Sequence, residues 1–273
     1  MQPELERVSQ IEKEGRQIRF DLFKKLCEVQ EGHPGSILSI FDIVNALYLS
    51  ETIKINKHSN INDVFIMSKG HAAAVQYPYL LRKGFINYED WNSWGNGESN
   101  LRVFGNNSIP GIDVTSGSLG HGLGIASGIA LANRMNKLLT KIFVIISEGE
   151  LYEGSTWEAL LFLAHHKLTE IKIILDVNRN MILGRPEDHV GLESIDQKFK
   201  SFNAETMRID GHHYQQIFDG LSFLVGADER PRVLIADTVK GKGVSFMEGR
   251  PESHYWGGLS QEKMSVMLKD LSV

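Results

Sequence analysis

The chain has 273 residues, 42% hydrophobic and 23% charged, with a formal net charge of −5 at pH 7. That length and balance suit one large α/β domain spanning residues 1–273, with a sizeable core. Scattered lysines and arginines, with no basic run or aromatic-basic stripe, give no footing for nucleic acid. A single cysteine, Cys27, excludes an internal disulfide and suits a reducing compartment. The charged N-terminal stretch has no signal-peptide core, and the apolar run over 122–132 is too short to span a bilayer. A soluble, cytoplasmic protein without a membrane partner is expected.

Hydrophobic periodicity predicts helices over about 3–30, 35–50, 72–83, 118–137, 154–167, 213–224 and 260–271. Between them lie short apolar runs at 64–67, 141–146, 171–176, 206–209 and 233–238. Unbroken Ile/Val runs such as IFVII and IKIIL have no polar alternation, so they fit strands buried on both faces. The expected fold class is α/β: a doubly wound, mainly parallel sheet with helices on both faces. No linker or repeat divides it.

Ligands of such sheets collect beyond the carboxyl ends of the strands. The first run is followed by Ser68-Lys69-Gly70-His71, the second by Ser147-Glu148-Gly149-Glu150, and the third by Asp176-Val177-Asn178. The last two lead into Asp210-Gly211-His212 and Val239-Lys240-Gly241-Lys242-Gly243. Each strand end therefore carries glycine, histidine or an oxygen donor. A carboxylate at Glu148, an amide at Asn178 and a nearby backbone carbonyl are hard donors suited to Mg²⁺ or Ca²⁺, provided their strands are neighbours. Taken singly, a loop acid and a turn asparagine would read as ordinary surface. Gly120, Gly124, Gly128 and Ala132 form a smooth helical stripe, suited either to packing within the domain or to a subunit contact. His165 and His166, adjacent on a helix, point apart and are not expected to bind metal together.

The block Ser147-Glu148-Gly149 closing at Asn178 resembles the thiamine-diphosphate motif, with flanks Glu150-Leu151, Glu153-Gly154 and Trp157-Glu158-Ala159 similar to transketolase. The same resemblance extends through Gly32-His33-Pro34-Gly35, Ser68-Lys69-Gly70-His71-Ala72, Gly117-Ser118-Leu119-Gly120-His121-Gly122, Asp210-Gly211-His212 and Thr238-Val239-Lys240-Gly241-Lys242-Gly243. Six blocks in the family's order are specific where one would not be. The resemblance implies a thiamine-diphosphate-binding fold with Mg²⁺, or Ca²⁺, held by Glu148, Asn178 and the carbonyl of Asn180. It implies His71, Gly117, Leu119, Gly149, Glu150, Asn178 and Ile182 around the cofactor, and His33, His71 and His254 as catalytic histidines. His121 is left between a place near the cofactor and a helix cap.

The family's second domain, which binds the pyrimidine and supplies the activating glutamate, has no counterpart in these residues. The resemblance therefore implies a split transketolase, active with a separate C-terminal subunit in an α₂β₂ assembly, with Glu153 near the subunit contact. It would move a two-carbon ketol unit from a ketose to an aldose, the acceptor a sugar phosphate or a specialised, nucleotide-linked sugar. Three departures bear on this: Glu148 replaces aspartate, Asn106 stands where the family has a histidine, and His254-Tyr255-Trp256-Gly257-Gly258 differs from the common pattern. Alternatives are a non-catalytic regulatory subunit, or a carboligase like deoxyxylulose-phosphate synthase.

Overall fold

The computed structural model describes residues 2–226, 229–255, 257 and 259–272, so Trp256 and Gly258 of the last block lie outside the described residues. Helix α1 (Gln2–Val29) buries one stripe, Ile11, Ile18, Leu22 and Leu26, while α2 (Pro34–Leu49) is buried around nearly its whole girth. Pro34 opens α2, where the missing N–H has no helical partner to lose. Strand β1 (Val64–Met67) leads into a 3₁₀ turn (Gly70–Gln76), α3 (Tyr77–Arg82) and α4 (Tyr88–Ser93). The expected helix over 72–83 is thus two pieces, divided next to Pro78, whose ring cannot donate to a continuous ladder.

Helix α5 (Gly122–Met135) precedes β2 (Ile142–Ser147), and a short 3₁₀ turn (Glu148–Tyr152) joins β2 to α6 (Gly154–His165). Then come β3 (Ile171–Val177), α7 (Ile195–Ser201), β4 (Glu205–Asp210), α8 (Tyr214–Val225), β5 (Arg232–Asp237) and α9 (Gln261–Leu271). The helix predicted from 118 begins only at Gly122, because Gly120 takes a positive φ of 81° and turns the chain. Helices α4 and α7 are absent from the periodicity reading. The first is fixed by a capping box between Asn87 and Asp90, a polar signal that apolar spacing does not register.

The five strands are parallel in the order β1-β2-β3-β5-β4. Alternation along each strand splits the core into two layers. Phe143, Ile145, Ile174, Leu234 and Ala236 face α1, α2 and α8, whereas Val144, Ile146, Ile173, Leu175, Val233 and Ile235 face α5, α6 and α7. This is the expected doubly wound α/β arrangement with helices on both faces. The chain steps from β1 to β2 to β3, passes beyond β5 to β4, and returns through α8 on the opposite face, as right-handed crossovers require.

A buried acid closes the α2-facing row of β3 at its carboxyl end. Asp176 on β3 is fully buried and ion-paired with the equally buried Lys69, just past β1. Its carboxylate also accepts hydrogen bonds from Ser39 Oγ of α2 at 2.7 Å and from the Thr238 hydroxyl beyond β5. Burial alone would raise the Asp176 pKa, but the Lys69 ammonium and these donors outweigh it and hold the carboxyl below its usual range. Asp176→Ala leaves Lys69 buried without a counter-ion. The expected loss is about 3–5 kcal/mol, read as a lower urea midpoint at unchanged slope, and replacing both partners with Lys69→Met and Asp176→Leu recovers most of it.

Candidate active site

The carboxyl ends of the strands carry the candidate residues, and buried side chains seat them. Glu150 is fully buried. Its carboxylate accepts from Ser147 N at 2.8 Å, from Gly120 N at 3.0 Å and from the Ser68 hydroxyl. It therefore joins the ends of β1 and β2 to the loop before α5; its side chain is committed to that frame and does not reach out toward a ligand. Two glycines permit the same closeness. A Cβ on Gly122 would lie 2.4 Å from Ser68 Cβ, and one on Gly70 would lie 2.9 Å from Gly117 N. Gly117, Ser116, Ser118 and His121 consequently line a cavity of about 150 Å³ beside Ser68, which puts exposed His121 on its wall.

Three histidines distant in sequence meet. The ring of His33 lies 5.2 Å from that of His71 and 5.0 Å from that of His254, and His71 to His254 is 5.5 Å. His33 comes from the start of α2, His71 from the turn after β1, and His254 from a 3₁₀ turn (Pro251–His254) before α9. Gly35 lets these segments touch, since a Cβ there would sit 2.5 Å from Ser253 O. Burial first, and then the nearby ammonium of Lys240, push His33 down to about 4 and His254 down to about 3. Burial, followed by the Lys69 charge, also holds His71 well below the ordinary histidine value. All three are neutral at pH 7, able to donate or accept hydrogen bonds to carbonyl and hydroxyl oxygens. His33 Nδ1 is buried with no hydrogen-bond partner among the described residues. Phe104 and Tyr255, both exposed, flank His33 at 6.0 and 5.1 Å.

Pairing of Ser147 with Asp176 makes β2 and β3 neighbours, as the metal reading requires. Glu148 Oε2 accepts Arg179 N at 2.9 Å, Asn178 Oδ1 accepts Asn180 N at 3.1 Å, and Asn180 O accepts Lys240 Nζ at 3.2 Å. Each oxygen has one hydrogen bond and retains further lone-pair capacity. Burial pushes Glu148 up to about 7, against the lowering effect of the Arg179 amide, and no salt bridge among the described residues relieves it. A buried carboxylate with no ion pair among the described residues, beside an amide and a carbonyl oxygen, is a donor set that fits a divalent cation. No trio of His, Cys, Asp or Glu side chains competes for that ion among the described residues.

Lys240 is the residue that sequence reasoning missed. Only 1% exposed, its ammonium bridges Asn180 O and, at 3.0 Å, His254 Nδ1, thereby joining the oxygen set to the histidine cluster. Its signal was present as the lysine inside a glycine-rich strand-end block. Lys69 and Asp176 were likewise quoted within motifs, but their pairing was not legible. Ile182 is exposed in the turn bridged by Met181 and Gly184, Leu119 and Gly149 are partly buried, and His165 and His166 are exposed. Asn106 turns away from the cluster: Oδ1 accepts Ser108 N at 3.0 Å, and Nδ2 donates to Asn100 O at 3.4 Å.

The family of transketolase thiamine-diphosphate-binding domains matches residues 10–271. The chain belongs to the transketolase family. It is 36% identical to an apulose-4-phosphate transketolase subunit of Actinobacillus succinogenes, over 82% of each chain. The apulose-4-phosphate transketolase subunit of Phocaeicola vulgatus is 32% identical over 97% of this chain and 95% of its own. A 6-deoxy-6-sulfo-D-fructose transketolase subunit from a Clostridium species is 33% identical over 87% of each. The crystal structure of Campylobacter jejuni transketolase superposes with a TM-score of 0.87 at 27% identity, over 96% of this chain and 43% of that one. This chain thus spans less than half of the solved enzyme's length and carries the thiamine-diphosphate-binding domain. No helix among the described residues is long and apolar enough to cross a membrane.

Two candidate residues of this transketolase domain give opposite pH dependences in metal-free buffer. His33 titrates at about 4 when folded against an ordinary 6.5, so its contribution is complete above pH 6.5 and is lost as pH falls toward 4. Glu148 titrates at about 7 against 4.5, so its contribution is complete below pH 4.5 and is lost as pH rises through 7. Relative to His33→Asn the parent should lose stability on acidification across the first window; relative to Glu148→Gln it should gain on acidification across the second. Each difference has a slope of at most about 1.4 kcal/mol per pH unit, measured by denaturant titration.

Proposed function

We propose that this chain is the diphosphate-binding subunit of a two-chain transketolase that moves a two-carbon ketol unit from a ketose to an aldose. The observation carrying the proposal is the meeting of three neutral histidines, joined through Lys240 to the oxygens of the 178–180 turn. Glu148, Asn178 and the Asn180 carbonyl would hold Mg²⁺, or Ca²⁺, against the diphosphate. Gly149 and Gly117 allow close backbone approach, while Leu119 and Ile182 offer apolar surface and His71 a ring beside the phosphates. Thiamine diphosphate, when bound, supplies a nucleophilic carbon and an electron sink for the two-carbon unit.

The protein's own part is hydrogen bonding and proton placement. Lys240, while charged, can only donate, so His254 Nδ1 accepts and its proton sits on Nε2. His254 is thereby a donor to a substrate oxygen. His33, neutral and with no partner for Nδ1 among the described residues, can hydrogen-bond a substrate hydroxyl; taking up its proton would create an imidazolium that burial and Lys240 disfavour, so a proton it accepts is readily returned. Lys240 also places a positive charge where diphosphate oxygens would lie.

Three kinds of support bear on partner and substrate. Relatives similar over most of their length are named as subunits, which favours a separate second chain. Phe104 and Tyr255 are exposed beside His33, and Ile182 is exposed two residues past Asn180, leaving apolar surface for that chain to cover. Gly124 and Gly128 of α5 are exposed, with nothing within 4 Å of a Cβ built on either, so this part of the stripe is open for a subunit contact, whereas Gly120 packs within the domain against Glu153 and Ser155. The relatives are named for apulose-4-phosphate and for 6-deoxy-6-sulfo-D-fructose, the latter a ketose, so a specialised ketose is adopted here as the class of donor.

Mixed with a separate pyrimidine-binding chain, the protein should transfer ketol units from a ketose phosphate. Cofactor bound, with no transfer from any ketose donor, would sink the proposal. Isothermal titration of the same complex should show thiamine-diphosphate binding that requires Mg²⁺ and weakens at least about tenfold in Glu148→Gln. Gly128→Arg should convert the assembly to smaller species in sedimentation without lowering the chain's own melting temperature.

A further inference from the structure

Asp210-Gly211-His212 stands among the strand-end motifs, yet nothing in the chemistry above uses it. His212 is almost buried, with 9% of its side chain exposed. Its Nε2 accepts the backbone N–H of Val239 at 2.9 Å, and its Nδ1 lies 2.8 Å from Asp42 Oδ2. A backbone N–H can only donate, so Nε2 carries the lone pair and Nδ1 the proton, which goes to the carboxylate. Asp42 lies on α2 and is itself held: Tyr214 OH donates to Oδ1 at 3.4 Å, and Arg19 Nη1 is 3.7 Å away.

Val239 immediately precedes Lys240. The segment is tied at each side by Thr238 to Asp176 and by Gly241 N to Gly35 O at 3.0 Å. Gly241 takes φ +78° there, and a Cβ on it would fall 2.5 Å from Met247 O. Between these ties, the His212 bond fixes the Thr238–Val239 peptide, one residue before Lys240. Lys240 Nζ then meets His254 Nδ1 at 3.0 Å and Asn180 O at 3.2 Å.

We infer that His212, oriented by Asp42, is a positioning residue that sets Lys240 between His254 and the Asn180 carbonyl and so keeps the His254 proton on Nε2. The inference rests on the reading of His254 as a catalytic donor. The chain of bonds runs from Asp42 through His212 to the Val239 amide, along one residue of backbone to Lys240, and on to His254. Two histidines of one protein therefore hold opposite tautomers, each dictated by a neighbour that can only donate. Asp42 does for His212 what a carboxylate does in any imidazole relay: it selects one ring nitrogen for the proton.

The test is ¹⁵N-histidine NMR of the full chain with its partner, alongside ketol-transfer kinetics. His212 should be protonated on Nδ1 and His254 on Nε2. In His212→Leu the His254 signal should become a mixture of tautomers, and kcat should fall at least about tenfold with KM for the donor little changed. His212→Gln, whose amide oxygen and nitrogen can face Val239 and Asp42 in place of the two ring nitrogens, should restore both. A proton on His212 Nε2 in the unaltered protein overturns the inference even if the leucine variant fails to fold. An unchanged His254 tautomer in a folded leucine variant overturns it too. Lack of ketol transfer by the unaltered complex would instead count against the transketolase reading, leaving the tautomer results to stand or fall by themselves.

Discussion

Much of this domain turns on one buried ion pair. Asp176 lies fully buried in the middle strand of the sheet, and its charge is tolerable because Lys69, Ser39 and Thr238 converge on it. Those partners come from the ends of β1 and β5 and from α2. A buried carboxylate without them would be expensive, so the folded chain must bring three distant segments to one point. The same segments carry His71, Lys240 and, six residues before Ser39, His33. The electrostatic demand of Asp176 is therefore also the device that assembles the site.

Glu150 plays the corresponding part for the neighbouring strand ends, drawing Ser68, Ser147 and Gly120 together. Between the two carboxylates, loops that would ordinarily be loose become fixed platforms, as pre-organised hydrogen bonding at a reacting centre demands. Burial then does a second job. It lowers the histidines and raises Glu148, leaving neutral proton carriers on one side and a carboxylate wanting a cation on the other. Both effects follow from one low-dielectric setting, with opposite consequences because one kind of group is charged when protonated and the other when not.

The departures from the family pattern are unequal in weight. Asn106 spends its side chain on its own turn, so its amide is not aimed at the histidine cluster. Glu148, one methylene longer than aspartate, still reaches the turn that carries Asn178 and Asn180, its oxygen 2.9 Å from the Arg179 amide. Trp256 and Gly258 of the third departure lie outside the described residues, while His254 is well joined to the cluster.

The sequence by itself determined the fold class, the strands and the family, because each is written locally. Unbroken runs such as Ile142–Ser147 and Ile171–Val177 can be satisfied only between two covered faces, and glycine-rich strand ends recur in a fixed order. It also named His33, His71 and His254, but as members of separate motifs. Periodicity overran the start of α5, since a glycine's positive φ leaves no apolar trace, and it passed over α4, whose start is polar. Only the tertiary structure decided that Lys69 belongs to Asp176, that Glu150 is a fastener, that Gly124 and Gly128 face outward, and that Lys240 links the oxygens to His254. Those outcomes depend on which side chains meet after the sheet has closed its register, and on the loss of water around them. Neither quantity has a period, and neither can be read from residues that lie far apart along the chain.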